Sequence, residues 1–198
     1  IGSHIVANLL SKGMRVRATV RDKNDPERVD HLKSMEIADG GSIEIVEMDL
    51  FDCDSVDSAI SGCTDLIHTA ATVIVRSRNP QRKIVDPSVI GTKNVVSAVE
   101  KSGTIERFVH TSSTAAIRPM DWEDGTVLTT ESWADDATLE NNPYGLAKEE
   151  REKAEGDYDR LMWDESRCDQ VAKLADDVAV LRALEDVVEA SVITRGTA

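Results

Sequence analysis

The chain has 198 residues, 40% of them apolar and 30% charged, which is ordinary globular composition and enough for one domain with a full core. Its formal net charge of −14 argues against nucleic acid and anionic membrane as partners, because phosphate binding needs clustered Lys and Arg. No apolar run approaches the roughly 18 residues of a membrane span, and the first residues do not read as a signal peptide.

The charge is unevenly spread. Residues 1–120 carry 16 acidic and 15 basic side chains, whereas residues 121–198 carry 21 acidic and 8 basic. A compositional boundary therefore falls in the last third. Cys53, Cys63 and Cys168 are few and widely spaced, without a metal-ligand pattern, and read as reduced thiols in a cytoplasm.

The chain opens on Ile1-Gly2-Ser3-His4, without a methionine or a preceding strand, as a sequence entered mid-motif. Ile5, Val6, Leu9 and Leu10 have helical spacing, and Gly13 follows as a helix stop. Met14 to Val20 alternates as a strand. Pro26 to Ser34 reads as a short helix, and Ile43 to Met48 as a second strand closed by Asp49-Leu50. Ser55 to Ile60 suggests a helix, and Leu66-Ile67-His68 starts a third strand running into Thr69-Ala70-Ala71. A longer helix is expected over Val85 to Lys101, then a strand at Phe108-Val109-His110, a polar loop over 114–142, and a helix from Pro143.

Strands alternating with helices at this spacing imply an α/β fold with a doubly wound parallel sheet, whose ligands sit at the carboxyl ends of the strands. Beyond about Glu155 the pattern changes. Val171, Leu174, Val178, Leu181, Leu184 and Val188 recur at steps of three and four, an acidic amphipathic helix, with a core strand at Val178–Arg182 as the alternative.

The chemistry concentrates in one pair. Tyr144 and Lys148, four residues apart, share a helix face, and an ammonium beside a phenol stabilises the phenolate. Ser112 and Ser113 stand at the end of the fourth visible strand, where a hydroxyl can hold a carbonyl oxygen. Gly2 opens a helix, whose N-terminal amides favour an anion such as a pyrophosphate. Arg21 ends a strand where doubly wound folds meet the adenosine ribose; an arginine there accommodates a 2′-phosphate, and Arg28 lies within reach. Its neighbour Asp22 complicates that assignment. Asp49 is placed to accept from an adenine amino group. His68 and His110 fall in strands and read as core or turn residues rather than ligands.

In this order and at this spacing, several segments resemble the extended short-chain dehydrogenase/reductases, and within them the branch of dihydroflavonol, cinnamoyl-CoA and aldehyde reductases. The segments are Ile-Gly-Ser-His (1–4), Ala-Thr-Val-Arg-Asp (18–22), Asp49-Leu50, Gly-Cys-Thr-Asp-Leu-Ile-His-Thr-Ala-Ala (62–71), Asp-Pro-Ser-Val-Ile-Gly-Thr-Lys-Asn-Val (86–95), Val-His-Thr-Ser-Ser (109–113) and Tyr144-x-x-x-Lys148. The resemblance covers roughly residues 1–155 and implies an incomplete Rossmann-like NAD(P)-binding domain, with 156–198 a divergent, acidic, mainly helical segment.

The resemblance implies an NADP(H)-dependent oxidoreductase, with NAD(H) possible, that reduces a small-molecule carbonyl to an alcohol. Tyr144 would be the general acid, Lys148 its partner and a cofactor contact, and Ser113 the hydrogen-bond donor to the substrate oxygen. Gly2, Arg21, Arg28, Asp49, Leu50, Thr69, Ala70 and Ala71 would hold the cofactor. A monomer or homodimer in the cytoplasm is expected.

Two departures temper this. Only the third glycine of the family's phosphate-binding turn is present, as Gly2, so the sheet is expected to lack its first, central strand and to show unpaired edges. Ser88 stands where many short-chain enzymes place an asparagine, which weakens a proton relay. Two alternatives share parts of the pattern. One is an epimerase, dehydratase or 3β-hydroxysteroid dehydrogenase-like enzyme. The other is a non-catalytic dinucleotide-binding protein.

Overall fold

A computed structural model describes residues 1–155, apart from 72, 75, 124, 125, 130 and 131, together with residues 192–195. The apolar stripe of the first helix, α1 (Gly2–Ser11), is fully inward, with Ile5, Val6, Leu9 and Leu10 all buried. Gly13 then turns the chain at φ +72, and a Cβ there would lie 2.6 Å from the Asp39 carbonyl oxygen, so only glycine fits. Strand β1 (Arg15–Val20) follows. Helix α2 (Pro26–Lys33) begins on Asp25, whose side chain accepts from the Glu27 amide. After β2 (Ser42–Glu47), helix α3 (Cys53–Ile60) is capped in the same way by Asp52.

Strand β3 (Asp65–His68) is followed by a π-helical turn at Gln81–Val85, continuous with α4 (Asp86–Ser102). Gly103 ends α4 in the left-handed conformation. Then come β4 (Arg107–His110), the one-turn helix α5 (Thr114–Ile117), α6 (Pro143–Glu155) and β5 (Val192–Arg195).

The sheet order is β2-β1-β5-β3-β4. β1 pairs parallel with β2, and β3 parallel with β4. The expected gap at the centre is filled. β5 lies antiparallel between β1 and β3, with Val192 level with Ala18 on one side and Ile67 on the other. The sheet is therefore mixed, and backbone edges expected to be unpaired gain a partner from the acidic C-terminal segment. Four residues of that segment, expected to be mainly helical, form this strand. The helix read over 171–188, its strand alternative at 178–182, and Cys168 lie outside the described residues.

Period-two alternation sends side chains to both faces. Val16, Ala18 and Val20 of β1 and Ile67 of β3 join a core with α1 and α2, while Leu66 joins Val56, Ile60, Val95 and Val99 beneath α3 and α4. Arg17, between Val16 and Ala18, is only 5% exposed. Its Nη1 donates to the carbonyls of Ala59 (2.7 Å) and Ser61 (2.9 Å) at the end of α3, and its Nε to Glu44 (3.0 Å) on the neighbouring strand. This buried charge satisfies helix-end carbonyls that otherwise meet only the weak Cys63 thiol donor.

Candidate active site

The ends of β1, β2 and β3 open onto one cleft. Arg21, Asp49, Leu50, Ala70 and Ala71 all line it, so five sequence-derived candidates separated by up to fifty residues meet there. Asp22 does not stand among its lining residues; its Oδ1 accepts from the Asn24 amide at 2.8 Å. The basic member of the Arg21-Asp22 pair thus faces the cleft while the acidic one serves its own turn.

Asp49 and Leu50 are held from two directions. The Ser55 hydroxyl donates to the Asp49 carbonyl and accepts from the Asp49 amide, both at 3.0 Å. Asp49 Oδ1 accepts from the Phe51 amide at 2.9 Å, a local turn that leaves the carboxylate further acceptor capacity. Asn94 of α4 donates to the Leu50 carbonyl at 2.7 Å, and Gly91 lets α4 approach closely: a Cβ there would lie 3.1 Å from Leu50 Cβ.

Gly2, Arg28, Thr69, Ser113, Tyr144 and Lys148 lie off the cleft lining. Gly2 does open α1, as expected, and is buried. Arg28 is exposed, and its Nε is engaged by Asp25 at 3.0 Å in the first turn of α2. Thr69 is half-buried beside His68.

Beyond the strand ends, the cleft reaches Ser88, Thr92 and Arg151. Ser88 donates its hydroxyl proton to the Ile84 carbonyl at 2.9 Å, which commits that proton to the helix backbone. Arg151 belongs to α6 and is 2% exposed. Its Nε donates to Thr92 Oγ1 (3.0 Å) and its Nη2 lies 3.3 Å from His110 Nδ1. His110 and His68 face each other in register on β4 and β3, ring centroids 5.4 Å apart. Burial first, then the Arg151 charge, holds both imidazoles below their ordinary range, so both are neutral. His68 is fully buried yet lines the cleft, and His110 is half-buried. The sequence pattern did not single out Arg151, because a charge in the run Lys148-Glu-Glu-Arg-Glu-Lys153 reads as a solvated face. Its spacing of three from Lys148 was the available signal.

Tyr144 and Lys148 sit in the first half of α6. Asn142 caps this helix by accepting from the Gly145 amide at 2.9 Å, and Pro143 follows at its first position. Lys148 is 7% exposed, and its Nζ stands 5.3 Å from the centroid of the half-buried Tyr144 ring. Burial, reinforced by Arg151, lowers the Lys148 amine to about 8. Ser113 is half-buried and caps α5 by accepting from the Ala115 amide at 3.2 Å, which leaves its O–H hydrogen to donate elsewhere. Ser112 is exposed. Helix α5 itself falls in the stretch read as polar loop; Ser113-Thr-Ala-Ala, a cap before good helix formers, was its signal.

The model of the 3-beta hydroxysteroid dehydrogenase/isomerase family matches residues 1–155. Among curated relatives, a cinnamoyl-CoA reductase of Medicago truncatula is 39% identical over 119 residues, and an anthocyanidin reductase of Arabidopsis thaliana is 32% identical over 136. These alignments cover 59% and 68% of the chain, but only 36% and 39% of the relatives. Among solved structures, Gre2 of Candida albicans in complex with NADPH superposes with a TM-score of 0.67 at 27% identity, over 80% of this chain and 49% of that one. Vestitone reductase from alfalfa gives 0.61 at 26%, over 81% and 49%. A doubly wound domain with reductase relatives, matched along its first 155 residues, belongs to the 3-beta hydroxysteroid dehydrogenase/isomerase family.

Proposed function

We propose that the chain is the cofactor-binding part of an NADP(H)-dependent reductase that converts an aldehyde or ketone into an alcohol. The observation that carries this reading is the shared cleft of Arg21, Asp49, Leu50, Ala70 and Ala71, whose far wall, through Arg151, is the helix that bears Tyr144 and Lys148. The reductase names of the relatives and the NADPH in the Gre2 complex support it.

The residues present fit such a cofactor. Arg21 offers a guanidinium for a 2′-phosphate, with Asp22 turned to the Asn24 amide. Asp49 keeps acceptor capacity for an adenine amino group. Ala70 and Ala71 keep the cleft wall low enough for a flat ring to approach. When bound, the nicotinamide supplies the hydride.

The chain's own residues would orient the carbonyl and deliver the proton. Ser113 donates its hydroxyl hydrogen to the carbonyl oxygen and fixes its position. Tyr144 gives its phenolic proton to that oxygen as negative charge develops there. The Lys148 ammonium, against the same ring, stabilises the phenolate left behind and returns a proton toward it. The few scattered cysteines suit a reducing cytoplasm.

The family description favours one further reading, a hydroxysteroid dehydrogenase in which Tyr144 and Lys148 run the chemistry from alcohol to ketone. One experiment addresses both. NADPH consumption is followed against a panel of aldehydes and ketones, and NADP⁺ reduction against secondary alcohols including hydroxysteroids. Tyr144→Phe should lower turnover by about 100-fold or more. Unchanged turnover in that variant would overturn the mechanism.

A further inference from the structure

Phe51 is the least explained side chain of the cleft. It lines the opening yet is 56% exposed, a large apolar ring with little packed against it. Its backbone is nevertheless fixed. The Phe51 amide donates to Asp49 Oδ1 at 2.9 Å, Asp49 is pinned by Ser55, and the preceding Leu50 carbonyl is held by Asn94 at 2.7 Å. An exposed aromatic ring on an anchored turn is a preorganised stacking surface, because little further backbone ordering is needed when a flat ligand arrives.

We propose that Phe51 is the purine platform of this cleft, stacking on the adenine of the dinucleotide whose 2′-phosphate meets Arg21. This rests on the NADP(H) reading above and adds a recognition element to it. The surrounding groups match a phosphorylated purine nucleoside in kind. Arg21 supplies a cation for phosphate, Asp49 an acceptor for an exocyclic amino group, and Leu50 and Phe51 apolar surface for the ring.

The two contributions are separable. Stacking on an aromatic ring is indifferent to the base, since every base has a π-face. Recognition by a carboxylate is not: a purine with a carbonyl at its sixth position presents an acceptor where adenine presents a donor. Phe51 therefore sets how tightly the adenine half is held, and Asp49 sets which purine is held.

The test uses 2′,5′-ADP, NADPH and reduced nicotinamide mononucleotide as probes, titrated calorimetrically into wild type, Phe51→Ala and Phe51→Trp. Phe51→Ala should weaken 2′,5′-ADP and NADPH about tenfold, leave the mononucleotide unchanged, and keep the wild-type far-ultraviolet spectrum. Phe51→Trp should match or exceed wild type. Deamino-NADPH should bind more weakly than NADPH and lose the same factor in Phe51→Ala. If wild type binds 2′,5′-ADP and Phe51→Ala binds it equally well, the platform is wrong and the NADP(H) reading stands. Wild type that binds neither 2′,5′-ADP nor NADPH would overturn both.

Discussion

Arg151 Nη2 lies 3.3 Å from His110 Nδ1, and this contact fixes the state of the imidazole. A guanidinium has no acceptor, so Nδ1 must accept, and the proton of a neutral His110 resides on Nε2. Burial and the Arg151 charge keep His110 neutral, and the same two causes act on His68 across the sheet, in that order.

An acid sensitivity follows. In the unfolded chain both histidines take up protons as pH drops below about 6.5, whereas in the folded chain both resist. The unfolded state then binds more protons, so stability falls as pH falls through that window, by at most about 1.4 kcal/mol per pH unit for each histidine. Urea midpoints measured from pH 7.5 to 5.5 should decline accordingly. His110→Asn keeps an acceptor for Arg151 without a titrating group, and should halve the decline. A slope identical to wild type would mean that His110 does not contribute.

Lys148 gives the opposite limb. Its amine is lowered to about 8, chiefly by burial and then by Arg151, with Glu152 opposing. If the ammonium supports proton delivery from Tyr144, kcat/KM for carbonyl reduction should decline as pH rises through about 8. Arg151→Met should move this decline upward, because one of its two lowering causes is gone, while burial keeps it below the ordinary lysine value of about 10.5. Arg151→Lys retains the charge and should move it less. A pH profile that is the same in wild type and Arg151→Met would rule out this coupling.

How much of this was legible beforehand depends on whether the cause was local. Pro26 and Pro143 open helices by effects confined to a turn, and the helices begin at them. Tyr144 and Lys148 meet because spacing of four on a helix guarantees it. Arg151 was not legible, since its burial depends on Thr92 and His110, 59 and 41 residues away. The antiparallel β5 was not legible either. Val192–Arg195 is too short to separate strand from helix by periodicity, and its place is set by the pairing edges of β1 and β3. Arg28 lies off the cleft lining, with its Nε held by Asp25 three residues earlier.

If Arg21 meets the 2′-phosphate as proposed, it sets which dinucleotide is preferred. It lines the cleft, while Asp22 accepts from the Asn24 amide and does not contribute a carboxylate to that wall. A charge-assisted hydrogen bond to a phosphate contributes about 1.5–3 kcal/mol, equivalent to roughly 10- to 100-fold in affinity. Arg21→Ala should therefore weaken NADPH by about tenfold or more while leaving NADH nearly unchanged. Equal losses for the two dinucleotides would place the contribution of Arg21 elsewhere than the 2′-phosphate.

Gly91 links helix packing to the cleft. A Cβ at this position would stand 3.1 Å from Leu50 Cβ and 3.3 Å from its Cδ1, so Leu50 must yield by a few tenths of an ångström. It has little room to do so, because Asn94 holds its carbonyl at 2.7 Å. Gly91→Ala gains about 0.8–1 kcal/mol of helix propensity and spends part of it on displacing Leu50. Stability should stay within about 1 kcal/mol of wild type in urea denaturation, while affinity for 2′,5′-ADP drops several-fold as Leu50 is pushed into the ring's space. A variant that gained the full propensity increment and bound 2′,5′-ADP like wild type would show that α4 does not position Leu50.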